Sequence, residues 1–213
     1  MKLYYFPLYG VGEQIRMLLA HAKVEYDNEM PTGDSWKEFK PNCPNGQMPV
    51  LEVDGKMLHQ SQAIMRFLGK QHGYYPSDAM AAFAVDAAVE DWNDSGKNMS
   101  YMSMFKPEPF PEEELKVFME GMNKKYECIA KILAKNGGKF LCGDAITTAD
   151  FTVFASLCSW AVNQPTEGKE HQRHVYTACA EAMAKHPTVQ AYVDAMKAEL
   201  AGYLAARPKD RTI

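Results

Sequence analysis

The chain changes its periodicity once, near Pro76, and that change limits the fold more than any other feature. Before it, short apolar runs with strand-like spacing alternate with helical text. After it, strand signals nearly vanish and apolar residues recur every three or four positions. A chain written this way folds as a small mixed α/β unit followed by an all-helical one.

In the first unit, Lys2-Leu3-Tyr4-Tyr5-Phe6 is an apolar and aromatic run stopped by Pro7, which suits a buried strand. Gly10 and Gly12 open a helix with Ile15, Leu18, Leu19 and Ala22 on one face. A second strand is expected over 25–30, and a short helix or turn over 35–39. Val50 to Val53 and Lys56 to Leu58 flank Asp54-Gly55, a pair that supplies the positive φ of a tight hairpin turn. A helix over 62–71, closed by Gly73, completes the order β-α-β-α-β-β-α.

In the second unit, Leu115, Phe118, Met122, Tyr126, Ile129 and Leu133 mark one apolar helix face. Pro107, Pro109 and Pro111 separate that helix from the one before it, and Gly137-Gly138 ends it. Thr147 and Asp150 stand three apart before the apolar run Phe151 to Leu157, the pattern of a reciprocal helix cap. Two further helices are expected to end near Lys185 and Tyr203. The boundary falls between 76 and 81, giving units 1–76 and 81–213.

Composition removes several function classes. The net charge of −4, with no basic stripe, argues against nucleic-acid binding. No apolar stretch approaches the ~18 residues of a membrane span, and the first residues do not read as a signal peptide. The five cysteines are odd in number and form no Cys-x-x-Cys pair, so free thiols in a reducing cytoplasm are expected. The histidines lack metal-ligand spacing, and no metal or organic cofactor is expected.

Four motifs, in order, resemble the cytosolic glutathione transferases: Tyr5-Phe6-Pro7-Leu8, Gln47-Met48-Pro49-Val50-Leu51, Gln60-Ser61 before a helix, and Gly143-Asp144 through Thr147 and Asp150. The resemblance covers nearly the whole chain. Its opening motif is similar to that of the Sigma class. It implies a thioredoxin-like N-terminal domain, an all-α C-terminal domain, and glutathione as co-substrate for conjugation to apolar electrophilic small molecules. It further implies that Tyr5 holds the glutathione sulfur as a thiolate. Trp36 and Lys40 would hold the glycyl end, Gln47, Met48 and a cis Pro49 the cysteinyl backbone, and Gln60 and Ser61 the γ-glutamyl end. Asp94 would reach the partner's glutathione across a homodimer. Tyr9, Tyr101, Met104 and Phe105 are candidates to line the electrophile pocket.

Elementary chemistry agrees with several of these roles. A free thiol near pKa ~8.5 is mostly protonated at neutral pH. A shift of two units needs ~2.7 kcal/mol, and one hydrogen bond to a charged group supplies ~1.5–3 kcal/mol. Strand alternation sends Tyr4 and Tyr5 to opposite faces, so one of them can serve. Ser61 is placed to cap the helix that follows it, whose N–H groups favour an anion. Trp36 and Lys40 share a face if their segment is helical.

One position departs from the pattern. Many Sigma-class chains carry arginine after the glycine at position 10, and here that residue is Val11. The departure takes a positive charge from beside the sulfur and weakens, without removing, the alternative of a glutathione-dependent prostaglandin isomerase. A non-catalytic, crystallin-like relative is the alternative within the same fold. A glutaredoxin-type redox protein would need cysteine where Tyr5 and Phe6 stand.

Overall fold

The computed structural model describes residues 1–97, 99–100, 102–163, 165 and 169–208. Its first elements are β1 (Lys2–Tyr4), α1 (Gly10–His21), β2 (Asp27–Glu29), α2 (Gly33–Phe39), β3 (Val50–Val53), β4 (Lys56–His59) and α3 (Ser61–His72). Helices follow: α4 (Ala79–Asp94), α5 (Glu112–Asn136), α6 (Thr148–Leu157), α7 (Arg173–Met183), α8 (Pro187–Glu199) and α9 (Ala201–Ala206). The four strands form one mixed sheet in the order β2-β1-β3-β4. β1 runs parallel to β2 and antiparallel to β3, with Leu3 opposite Asn28 and Leu51. This is a thioredoxin-like N-terminal domain with a helical C-terminal domain.

The hairpin forms as its turn residues require. Asp54 and Gly55 take φ of 50° and 75°, the positive pair of a primed turn. β1 is shorter than the apolar run suggests, because its partner strands end beside Tyr4. The chain still continues the ladder by one bond, from Tyr5 N to Glu29 O at 3.0 Å. The second strand likewise contracts to Asp27–Glu29.

The cap of α3 corrects an expectation. Ser61 is the first helical residue, and no side chain caps the helix. Gln60 precedes it with φ 68° and ψ 108°, a strained conformation for a residue with a Cβ. The chain turns at Gln60, so Ser61 already has helical dihedrals and is not placed to cap its own helix.

The sheet domain is joined to the helices most extensively through α6. α6 packs along α1, and Thr148 N donates to Tyr74 O at 2.9 Å. Gly69 of α3 permits this approach, since a Cβ there would lie 2.4 Å from Thr148 Cγ2. Nearly every residue of α6 is buried, which fits a helix apolar on all sides.

The expected reciprocal cap is present at the start of α6. Thr147 N donates to Asp150 Oδ2 at 2.7 Å, and Thr147 Oγ1 donates to the same oxygen at 2.9 Å. Leu141 N donates to the other oxygen at 2.9 Å. Asp150 therefore ties the preceding loop to the helix as well as capping it. Burial pushes its carboxyl up to about 6, while these hydrogen bonds pull the other way.

Asp150→Ala leaves two buried N–H groups without this acceptor and is expected to cost about 2–5 kcal/mol. Thr147→Ala is expected to cost about 0.5–2 kcal/mol, the usual range for a lost cap. Urea unfolding monitored by tryptophan fluorescence checks the order and size of the two effects.

Candidate active site

Tyr4 and Tyr5 do face opposite ways. Tyr4 stacks on Phe39 with ring centroids 4.3 Å apart and donates to Glu52 Oε2 at 2.9 Å. Burial and that carboxylate push its phenol up to about 12. Tyr5 turns instead toward the start of α1. There Val11 N donates to its hydroxyl oxygen at 3.2 Å, and a bond into the oxygen makes the O–H a stronger donor.

The two glycines of α1 exist for this ring. A Cβ on Gly10 would lie 2.6 Å from Tyr5 Oη, and one on Gly12 would lie 2.4 Å from Tyr5 Cδ1. Both are far inside van der Waals contact, so the helix can reach the ring only without side chains at these positions.

Below the ring lies a positive charge that the sequence does not advertise. The Arg16 guanidinium sits 5.5 Å from the Tyr5 ring centroid. Arg16 is almost wholly buried and donates to Leu8 O at 2.8 Å and to Glu13 Oε2 at 3.2 Å. The side chain of Val11 brings no charge here, and the cation under the Tyr5 ring is paired with the Glu13 carboxylate. Arg16 is missed in sequence because it stands one and a half turns farther along the helix, among core residues.

Two cavities meet at Val11. The smaller, of about 170 Å³, is bounded by Gln47, Met48, Pro49, Gln60 and Ser61 together with His59. Five residues from two separate motifs are thus brought together. The Met48–Pro49 peptide is cis. His59 was not foreseen, and its Nδ1 is buried without a hydrogen-bond partner among the described residues.

The larger cavity, of about 460 Å³, reaches from Tyr5 to the helical domain. Phe105 lines it as expected. Tyr9 and Met104 are not among its described lining residues. Tyr9 is 5% exposed and donates to Pro208 O at 2.6 Å, while Met104 is buried in the core. Tyr101 lies outside the described residues. The walls come instead from Trp92 of α4, Lys125 of α5, and Ser156 and Trp160 of α6 and its continuation. Spacing alone reads such residues as helix core or helix shoulder, since only tertiary packing separates a cavity wall from a filled core.

Trp36 and Lys40 share a helical turn, with Lys40 N donating to Trp36 O. The Trp36 ring meets Phe6 edge-on at 5.3 Å, and the Lys40 stem runs beside Gly46. Neither is among the described residues bounding the two cavities. Asp94 ends α4 on the surface, paired with Lys97 at 2.8 Å. It too lies outside both cavity walls of its own chain.

The profile described as "Glutathione S-transferase, N-terminal domain" matches residues 1–70, and its C-terminal counterpart matches 91–207. The chain belongs to the glutathione S-transferase family. "Glutathione S-transferase 1" of Ascaris suum is 34% identical to it, over 75% of this chain and 79% of that one. "Glutathione S-transferase 2" of Manduca sexta is also 34% identical, over 84% and 88%. Among solved structures, the glutathione S-transferase of Ascaris lumbricoides superposes with a TM-score of 0.83 at 28% identity, covering 98% of this chain and 97% of that one. A Nu-class enzyme of Haemonchus contortus gives 0.77 at 29%, covering 97% and 96%. These glutathione S-transferase relatives identify the chain as an enzyme of the family. No described helix is long and apolar enough to cross a membrane.

Gly12→Ala is expected to force the Tyr5 ring off its position and cost about 1–3 kcal/mol, the usual penalty for overpacking. The check is a lower urea midpoint together with a loss of transferase activity larger than the stability change explains.

Proposed function

We propose that this transferase conjugates glutathione to apolar electrophilic small molecules, with Tyr5 holding the sulfur as a thiolate. One observation carries the reading. Tyr5 lines the larger cavity, and Val11, which binds its hydroxyl, also borders the smaller one. A thiol placed at that seam would touch the phenol with its peptide on one side and an electrophile on the other.

In this reading the peptide occupies the smaller cavity. The backbone of Met48 beside Pro49 pairs with the cysteinyl unit, next to Gln47. Gln60 and Ser61 take the γ-glutamyl carboxylate at the start of α3, where free N–H groups and the helix dipole favour an anion. Trp36 and Lys40 take the glycyl end. The strained backbone of Gln60 fits a binding role, since such strain gathers at ligand sites. The bound thiol gives up its proton to water, the thiolate accepts a hydrogen bond from the Tyr5 O–H, and sulfur attacks the electrophilic carbon, either expelling a leaving anion or, at a conjugated double bond, displacing the π pair, which a proton then neutralises. Holding both partners together supplies much of the acceleration.

The same reading places the glutathione-binding unit in 1–76 and the helical unit in 81–213, in a cytoplasmic enzyme of Sigma type that needs no cofactor. It also makes the enzyme a homodimer. Asp94 is exposed and lies away from the cavities of its own chain. A two-fold partner would bring it to the ammonium of the other subunit's glutathione. A relative from Necator americanus, 26% identical, is described as monomeric, so the assembly of this chain is worth measuring directly.

Tyr5→Phe is expected to raise the pKa of bound glutathione by about two units, equivalent to ~2.7 kcal/mol, with most glutathione affinity retained. The ultraviolet absorbance of the thiolate, titrated against pH, measures this. An unshifted titration would remove Tyr5 from the role.

For the dimer, sedimentation should give twice the chain mass. Heterodimers of Asp94→Ala with Tyr5→Phe would carry one doubly altered site and one intact site. The isolated heterodimer should have about half the native activity, well above either parent. A heterodimer no better than its parents would refute the shared site.

A further inference from the structure

Among the described residues lining the larger cavity, Lys125 is the only charged one. The conjugation chemistry gives it no task. Its side chain is nonetheless held in place. Nζ donates to Trp92 O at 2.7 Å and lies 3.9 Å from the Trp92 ring centroid. The stem passes over Gly96, where a Cβ would come within 2.3 Å of Lys125 Cε.

The ammonium has an aromatic face and a carbonyl, yet no carboxylate forms an ion pair with it among the described residues. Burial pushes its pKa down to about 8, opposed only by Cys128. A cation withdrawn from water and left without a counter-ion gains from any anion that enters beside it.

Four of the neighbouring polar groups are already engaged elsewhere. Thr152 Oγ1 and Ser159 Oγ donate to carbonyls of their own helix at 3.0 Å each. The Gln62 amide donates to Gln14 Oε1 at 3.1 Å, and the Gln14 amide to Val11 O at 3.1 Å. The rest of the wall holds two further neutral polar residues, Asn93 and Ser156, and apolar ones that include Trp160, Met99 and Phe105. The cavity thus offers apolar surface, a few neutral polar groups and one fixed positive charge.

We infer that Lys125 selects the electrophile, favouring an apolar molecule that carries a carboxylate away from its reactive carbon. The inference rests on the proposed conjugation reaction. A fitting substrate is a medium-chain enone with a terminal carboxylate. Sulfur bonds to its β carbon, the π pair moves onto the carbonyl oxygen, and the α carbon takes up one proton, matching the one the thiol lost. Lys125 holds the distant carboxylate throughout and exchanges nothing.

The test compares that enone acid with its methyl ester, reading the ratio of their kcat/KM values. The native enzyme should prefer the acid. Lys125→Met, which keeps an unbranched stem over Trp92, should lower the acid-to-ester ratio by about tenfold or more, equivalent to about 1.4 kcal/mol. Lys125→Arg should keep most of the preference. A lysine that only ties α5 to Trp92 would move both substrates together and leave the ratio unchanged, which would overturn the inference.

A second measurement needs neither a variant nor catalysis. Trp92 and Trp160 line the cavity, so quenching of tryptophan fluorescence reports a saturated alkanoic acid binding there. The acid should bind the native protein at least about tenfold more tightly than its methyl ester, and equal affinities would refute the role of Lys125. If neither enone is conjugated while the alkanoic acid still binds preferentially, the reaction proposed above fails and the lysine assignment stands.

Discussion

A single buried carboxylate organises the approach to Tyr5. Glu13 is fully buried in α1, where an unpaired charge would be prohibitive. It is held by Arg16 at 3.2 Å, by Arg207 at 3.1 Å and by the Tyr203 hydroxyl at 2.9 Å. Arg16 in turn grips the carbonyls of Leu8 and Phe6, the backbone that follows Tyr5. Arg207 lies over the Tyr9 ring at 4.5 Å and joins Asn163 and Cys158. Breaking such a buried pair from one side typically costs about 3–5 kcal/mol, because the remaining charge is stranded. The loop carrying the phenol, the first helix and the last one are therefore fixed by the same group.

At position 11, by contrast, the contact with Tyr5 comes from the backbone. Only the backbone N–H at this position reaches Tyr5, and any residue except proline supplies one. The neighbouring positive charge comes from Arg16, beneath the ring. Two cations surround one carboxylate in this cluster, so its charge is balanced inside the core, away from the exposed side chain at position 11.

The parts of the fold that local chemistry dictates were legible in the sequence. Asp54-Gly55 named its own turn, Thr147 and Asp150 their cap, and the alternation of Tyr4 and Tyr5 their opposite faces. Tyr5, Gln47 to Pro49 and Gln60-Ser61 lie near one another because they flank neighbouring strands β1, β3 and β4 at the same end of the sheet. What stayed hidden was assembled from afar. Trp92, Lys125 and Trp160 come from separate helices and read singly as core or shoulder positions. Tyr9 had the composition of a pocket residue, but its hydroxyl is bound by the Pro208 carbonyl and its ring lies under Arg207. Ser61 had the chemistry of a cap, yet the backbone of Gln60 carried it one position too far into the helix.

The clamp on Glu13 also orders events in time. Its partner Arg207 lies 194 residues later. At a synthesis rate of ~5–20 residues per second, roughly 10–40 s separate the two on the ribosome. During that interval α1 carries a carboxylate whose burial is only half compensated, and the contact that completes it spans nearly the full sequence separation, the slowest kind to close. The sheet domain can form its hairpin and strands early. The packing of α1 beneath Tyr5 becomes final only when the last helix arrives, so a nascent chain lacking that helix is held short of a settled site.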